Sequence, residues 1–251
     1  MYGLTFKPRI NEINIKGKLQ FPAIINYFQH IAYKHAHDLG VGHEQLFPKG
    51  LTWLLLRYTV EVVRYARLEE KIKVVTWVAE SENPRYTLRE FELYDEENKV
   101  LCKATTSWLL FNFRKRKSVD FKEYWPEFKA ENKRAVEDAF PKLRLPQKAD
   151  IKKIMNVRMH DLDINQHLNH RVNIEWLIEG MPEKILKDYE LTKLEISYKE
   201  QAFFEEEIIV ETEIVKKQEK DQLEAVHRLI KGKKEKLVSK AITHWQSYHN
   251  S

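Results

Sequence analysis

Apolar residues recur at helical spacing from Phe21 to about Leu39: Ile24, Ile25, Phe28, Ile31 and Ala32 form one face. Pro22 suits the first turn of that helix, and Gly40 and Gly42 end it. Residues 4–18, ahead of it, predict a strand with a turn at Gly17. Behind it, residues 52–63, 71–81 and 85–94 predict strands, the last two rich in β-branched and aromatic residues. Residues 95–99 read as a hairpin turn and 100–113 as the return strand.

The pattern breaks over 114–150, where Pro126, Pro141 and Pro146 interrupt a charged stretch with a short helix predicted near 131–139. It then begins again. A strand near 154–160 leads to a helix over about 165–180, with Leu168, Val172, Trp176 and Ile178 apolar and Gly180-Met181-Pro182 as the stop. Strands follow at 191–200, 206–218, 222–231 and 236–246, with turns at 219–221 and 231–233. Strand, helix and a run of antiparallel strands, twice over, predict two α+β units of one architecture. The units span 1–120 and 151–251, with 121–150 as a connector.

The repeats differ where the second helix begins. Asp161, Asp163, Asn165 and His167 stand there at alternate positions, whereas the first helix is entered through Leu19-Gln-Phe-Pro-Ala23, with no acid or imidazole. Helix capping takes one Asp or Asn, not three of them at alternate positions with a histidine. Asp161-x-Asp163-x-Asn165 begins like a calcium loop, but Gln166 stands where that loop needs glycine and Val172 where it needs a carboxylate. No HExxH pattern supplies zinc ligands nearby, and the sequence predicts neither metal nor cofactor. Hydrolysis at an activated carbonyl fits better. Asp163 would activate water, His167 hold a proton, Asn165 orient either, and the helix N-terminus polarise the carbonyl. No serine or cysteine nucleophile stands at this point, so water attacks directly.

Composition narrows the setting. In 251 residues, 43% hydrophobic and 32% charged describe a globular chain, and a net charge of +5 suits an acidic partner. The basic run Arg114–Lys117 is the solvated end of a strand. The aromatics lie in core-like runs, which argues against a nucleic-acid binder. Cys102 is the only cysteine, so no intramolecular disulfide forms and a reducing cytoplasm is expected. No apolar run is long enough to span a membrane, and the first residues lack the features of a signal or transit peptide.

Asp161-Leu-Asp-Ile-Asn-Gln-His-Leu-Asn169, with Ile174-Glu-Trp176 and Tyr189-Glu-Leu191, resembles the signature of acyl-acyl-carrier-protein thioesterases of plant plastids and bacteria. Thr52-Trp-Leu-Leu-Leu-Arg57, Trp77-Val78 with Arg85, and Ala104-Thr-Thr-Ser-Trp108 with Asn112 also match, so the resemblance covers nearly the whole chain. It implies a tandem double hotdog, each unit a long central helix wrapped by a curved antiparallel sheet. Catalysis would belong to the second unit and the acyl pocket to the first. The family's catalytic aspartate, asparagine and histidine fall on Asp163, Asn165 and His167. Its glutamate falls on Gln201 and the cysteine that often follows on Ala202. Gln201 cannot accept a proton as a carboxylate does, and Glu200 replaces it only if the strand bulges. Phe28, Ile31, Trp53, Leu55 and Trp176 are the expected walls of an acyl cavity. The implied partner is an acidic, acyl-bearing carrier protein, and the implied setting a bacterial cytoplasm. An acyl-CoA thioesterase and a non-catalytic acyl-binding protein are the rival readings. The oligomeric state, a homodimer included, stays open.

Overall fold

A computed structural model describes residues 1–216 and 221–248. The chain divides into two compact units, Met1–Ala139 and Phe140–Ser251.

In the first unit, β1 (Tyr2–Phe6) precedes α1 (Phe21–Asp38), a short α2 (His43–Leu46), and the strands β2 (Leu51–Val62), β3 (Ile72–Ala79), β4 (Thr87–Tyr94) and β5 (Val100–Asn112). Antiparallel pairing gives the order β1-β3-β4-β5-β2, with a short β6 (Lys117–Val119) on β5 and a one-turn α3 (Phe121–Tyr124) after it. The apolar face of α1 lies against this sheet. Ile24, Ile25, Phe28 and Ile31 are buried, and Phe28 stacks on Phe91 of β4 with ring centroids 4.8 Å apart. Burying such side chains stabilises the unit by about 2 kcal/mol each.

The second unit repeats the plan: β7 (Ile151–Asn156), α4 (His170–Glu179), a short α5 (Glu183–Asp188), then β8 (Tyr189–Tyr198), β9 (Glu207–Lys216), β10 (Gln222–Lys231) and β11 (Lys236–Ser247). Its order, β7-β9-β10-β11-β8, is that of the first unit strand for strand. Helix α4 crosses the sheet closely: a Cβ on Gly180 would meet Val210 and Thr212 of β9, and Asn173 Oδ1 accepts from Ser239 Oγ of β11 at 2.8 Å. Each unit is thus a helix laid on an antiparallel sheet, the hotdog arrangement.

Several expectations need correction. The strand placed at 4–18 ends at Phe6, and a 3-10 turn at Ile10–Glu12 follows it. The strand placed at 154–160 likewise ends at Asn156. The second central helix is not long: it covers ten residues and starts at His170, not 165. No helix forms over 131–139. That stretch is bound to the first unit as an extended strap, where Arg134 Nε and Ala135 N both donate to the buried Glu90 of β4 at 2.9 Å. Trp77 Nε1 donates to Lys133 O at 2.7 Å. A buried carboxylate needs such partners, so these residues fold with the unit, and 121–150 divides between the two units at 139/140. The turn expected at 219–221 falls largely outside the described residues.

Candidate active site

Asp163, Asn165 and His167 stand on a tight loop between β7 and α4, not on the helix. The loop is closed by a bridge between Leu162 and Leu168 and by Asp163 N donating to His167 O at 2.8 Å. Asp163 Oδ1 accepts from Asn165 N at 2.8 Å and from His167 N at 3.2 Å. Among the described residues no bond engages Oδ2. Gln166, at the turn, takes φ +63°. A side chain that satisfies the next amides offers the backbone an alternative to helix, which is why the helix waits for Asn169, whose Oδ1 caps Arg171 N at 2.9 Å. The amides of Asn165 and His167 are already bound, so they are not free to stabilise an oxyanion.

Upstream, the buried Asp161 is held by Arg158 through N, Nε and Nη2 at 2.8–2.9 Å. This acid anchors the loop and is closed off from solvent.

The opposite wall comes from the end of β8. Lys199 N and Glu200 N both donate to Val238 O, at 2.8 and 3.2 Å, so the strand bulges where a shifted carboxylate would require it. Ala202 O then accepts from Leu168 N at 2.8 Å, fixing this turn to the Asp163 loop. The Phe203 ring meets the His167 ring edge-on at 5.2 Å. Beneath them Lys231, 8% exposed, donates to Gln201 O at 2.5 Å and to both oxygens of Glu206 at 2.9 and 3.1 Å. Its ammonium lies 5.2 Å from the Phe203 ring centre. Glu206 also accepts from Phe203 N at 2.9 Å. Burial depresses the His167 pKa below the usual histidine value, against the opposing pull of Asp163, so the imidazole is neutral at pH 7.

The first unit contains the same loop. Asn14 Oδ1 accepts from Lys16 N at 2.9 Å and Lys18 N at 3.1 Å, Asn14 N donates to Lys18 O, and Ile13 bridges Leu19. Gly17 takes φ +73° where Gln166 takes +63°. Leu19 N donates to Ala66 O as Leu168 N does to Ala202 O. Asn14, Lys16 and Lys18 are therefore the counterparts of Asp163, Asn165 and His167, which corrects the comparison with 19–23. The loop forms with an amide at its head, so the fold does not require the carboxylate of Asp163.

The structure joins Asp163, Asn165 and His167 on one loop. It places the backbone of Gln201 beside them, and Gln201's own side chain is exposed. Phe28, Ile31 and Trp176 are packed as core, whereas Trp53 and Leu55 on β2 are half-buried. Trp53 Nε1 donates to Val41 O at 3.0 Å. Phe203, Glu206 and Lys231 escape sequence reasoning. The acids at 205–207 read as a strand start, and Lys231 lies 30 residues from the carbonyl it holds. Among the described residues no group of three or more His, Cys, Asp or Glu could hold a metal ion, and no helix is long and apolar enough to cross a membrane.

Two hotdog units in one chain, one bearing a polar loop and the other a degenerate copy of it, define a tandem hotdog protein. The family follows from the sequence. Residues 1–127 match the acyl-ACP thioesterase N-terminal domain and residues 145–247 the acyl-ACP thioesterase C-terminal domain, so the chain belongs to the acyl-ACP (acyl-carrier-protein) thioesterase family. It is 27% identical over 210 residues to the chloroplastic acyl-carrier-protein hydrolase FATB2 of Cuphea viscosissima, covering 78% of this chain and 50% of that one. The oleoyl-acyl carrier protein thioesterase of Coriandrum sativum is 25% identical, with 78% and 59% covered. The chain thus spans about half the length of the curated relatives it matches. The 12:0-ACP thioesterase from Umbellularia californica has the same fold, with a TM-score of 0.85 at 23% identity over 98% of this chain and 97% of that one. So does an acyl-ACP thioesterase from Bacteroides thetaiotaomicron, at 0.82 and 19% over 97% of each.

Proposed function

We propose that this protein hydrolyses the thioester of a fatty acyl chain on an acidic acyl carrier protein, releasing the free fatty acid. One observation carries the reading: Asp163 keeps a carboxylate where Asn14 shows that an amide builds the same loop. In this mechanism Oδ1 holds the loop and Oδ2 takes a proton from water, whose oxygen attacks the thioester carbonyl carbon. The neutral His167 receives that proton from Asp163 and delivers it to the sulfur as the C–S bond breaks, which restores the Asp163 carboxylate. The side-chain amide of Asn165, through Nδ2, donates to the carbonyl oxygen in place of the occupied backbone amides of the loop. Gln201 orients the water. Trp53 and Leu55, half-buried on β2 of the first unit, form the acyl-binding wall.

The family and the activities of the plant relatives support the substrate class. A lone buried cysteine, Cys102, whose thiol burial pushes far up, suits a reducing bacterial cytoplasm. The exposed Gln201 favours one rival, a non-catalytic acyl-binding protein. Hydrolysis of a chain-length series of carrier-protein and CoA thioesters decides between them. We expect turnover on the carrier thioesters that Asp163→Ala abolishes; acyl binding without turnover on any thioester would sink the enzyme reading.

A further inference from the structure

The degenerate loop of the first unit has kept its backbone and changed its chemistry. Lys16 occupies the place of Asn165, and Lys18 that of His167. Across the bridge, Arg67 pairs with Lys18 and takes the place of Phe203: Arg67 N donates to Glu70 as Phe203 N does to Glu206, at 2.8 and 2.9 Å. Leu68 N donates to Gly17 O at 3.0 Å, so the two basic segments are fastened together. Lys16 and Arg67 are exposed and Lys18 half-exposed.

A fixed basic surface takes an anion, and two further features say which kind. Apolar side chains stand out beside the cations: Ile15 at the loop tip is 92% exposed, Ile10 74% and Leu68 40%. A small anion has no use for apolar neighbours, whereas a protein surface buries them while its acids meet the cations. The matching rim of the second unit is richer in acid, with Asp163, Glu200, Glu205 and Glu207 at or near the surface against the cations Arg158 and Lys199, whereas the first exposes Glu69 as the counterpart of Glu205. The second rim would repel an acidic partner.

We infer that Lys16, Lys18 and Arg67, flanked by Ile10, Ile15 and Leu68, form a docking surface for the acidic carrier protein. The inference rests on the carrier-linked substrate proposed above, and it assigns the recognition of that carrier to the copy of the loop that has lost its acid and imidazole.

The test is a charge reversal, Lys16→Glu/Lys18→Glu/Arg67→Glu, beside the neutral Lys16→Gln/Lys18→Gln/Arg67→Gln and a control, Lys184→Glu. Binding of holo-acyl carrier protein is titrated at two salt concentrations. Hydrolysis is measured on one acyl chain carried by carrier protein, by CoA and by N-acetylcysteamine. The reversal should weaken carrier binding and raise the carrier-thioester KM by about tenfold or more, with a flatter salt dependence. The neutral set should weaken binding less, and kcat/KM on the N-acetylcysteamine thioester should not move. Unchanged carrier affinity in both sets overturns the proposal. An equal loss on the CoA thioester also overturns it, because the site would then read a small phosphate. An equal loss on all three thioesters at unchanged Tm does so too. If wild type turns over no thioester, the binding arm still decides, so failure of the enzyme reading and of the docking surface are told apart.

Discussion

Asn14 and Asp163 do the same work on the backbone: each side-chain Oδ1 accepts from the second and fourth amides that follow it, at 2.9 and 3.1 Å in one unit and 2.8 and 3.2 Å in the other. The two residues differ only in an amide NH2 against a carboxylate oxygen. That difference separates what the fold needs from what the chemistry needs.

Asp163→Asn should therefore leave the loop intact and remove the base. Tm should stay within about 2 °C of wild type, while kcat/KM on the carrier thioester falls by about 10²- to 10⁴-fold. A thermal melt paired with steady-state kinetics tests this. A large fall in Tm would mean that the carboxylate is structural after all.

Gln201 and Glu200 compete for the position of the family glutamate, and the bulge at Lys199–Glu200 admits either. With Asp163 as the base, Gln201→Ala should cost about tenfold in kcat through a badly placed water, and Glu200→Gln less than about twofold. The reverse ranking would assign the role to the shifted carboxylate.

Lys231 acts on the site through Gln201 O, Glu206 and the Phe203 ring. Lys231→Met leaves the half-buried Glu206 carboxylate and the Gln201 carbonyl without their cation and should destabilise the protein by about 1–2 kcal/mol. If the turn positions His167, kcat should fall about tenfold with KM little changed, and the His167 ring resonances should shift. Lys231→Arg should recover most of kcat. Loss of stability with unchanged kcat and unchanged His167 resonances would leave Lys231 a purely structural residue.

His227 is fully buried between Thr212 Oγ1 at 2.9 Å and Thr243 Oγ1 at 2.7 Å, and burial drives its pKa down to about 3. Its folded value lies below the unfolded value of about 6.5, so the unfolded chain binds the proton more readily between those limits. The stability it confers is complete above about pH 6.5 and is lost as pH falls from there toward about 3, amounting to a few kcal/mol. His35 and His170, each held at about 4 by burial, act in the same direction. Tm should fall steadily from pH 7 to pH 4, and His227→Gln, which keeps a donor and an acceptor but does not titrate, should flatten that limb. An equally steep limb in the variant would place the acid sensitivity elsewhere.

The order of elements along the chain and both helices were largely legible in the amino-acid sequence, because buried faces write their period into the chain, whereas the order of strands within each sheet was not. Ile24, Phe28 and Ile31 mark α1, and Val172 and Trp176 mark α4. The twofold repeat was legible for the same reason. The Asp163–His167 motif was legible too, since its polar residues lie within five positions. Loop geometry was not, because side-chain hydrogen bonds override periodicity. Asp163 held off the start of α4, and Gln166 took the left-handed turn that Gly17 advertises in the other unit while Gln166 does not. The strap at 131–136 read as helix because nothing local reveals that Glu90, some 45 residues earlier, needs Arg134 and the Ala135 amide.

What the sequence by itself determined is the architecture, the family resemblance and the three residues of the loop. What only the tertiary structure decided is which residues surround them. Contacts between residues far apart in sequence, such as Lys231 with Gln201 and Phe203 with His167, leave no periodic trace, because they depend on where folded strands end. The match of Asn14 to Asp163 belongs with these. It rests on identical backbone bonds made by different side chains, and those bonds exist only once each unit has folded.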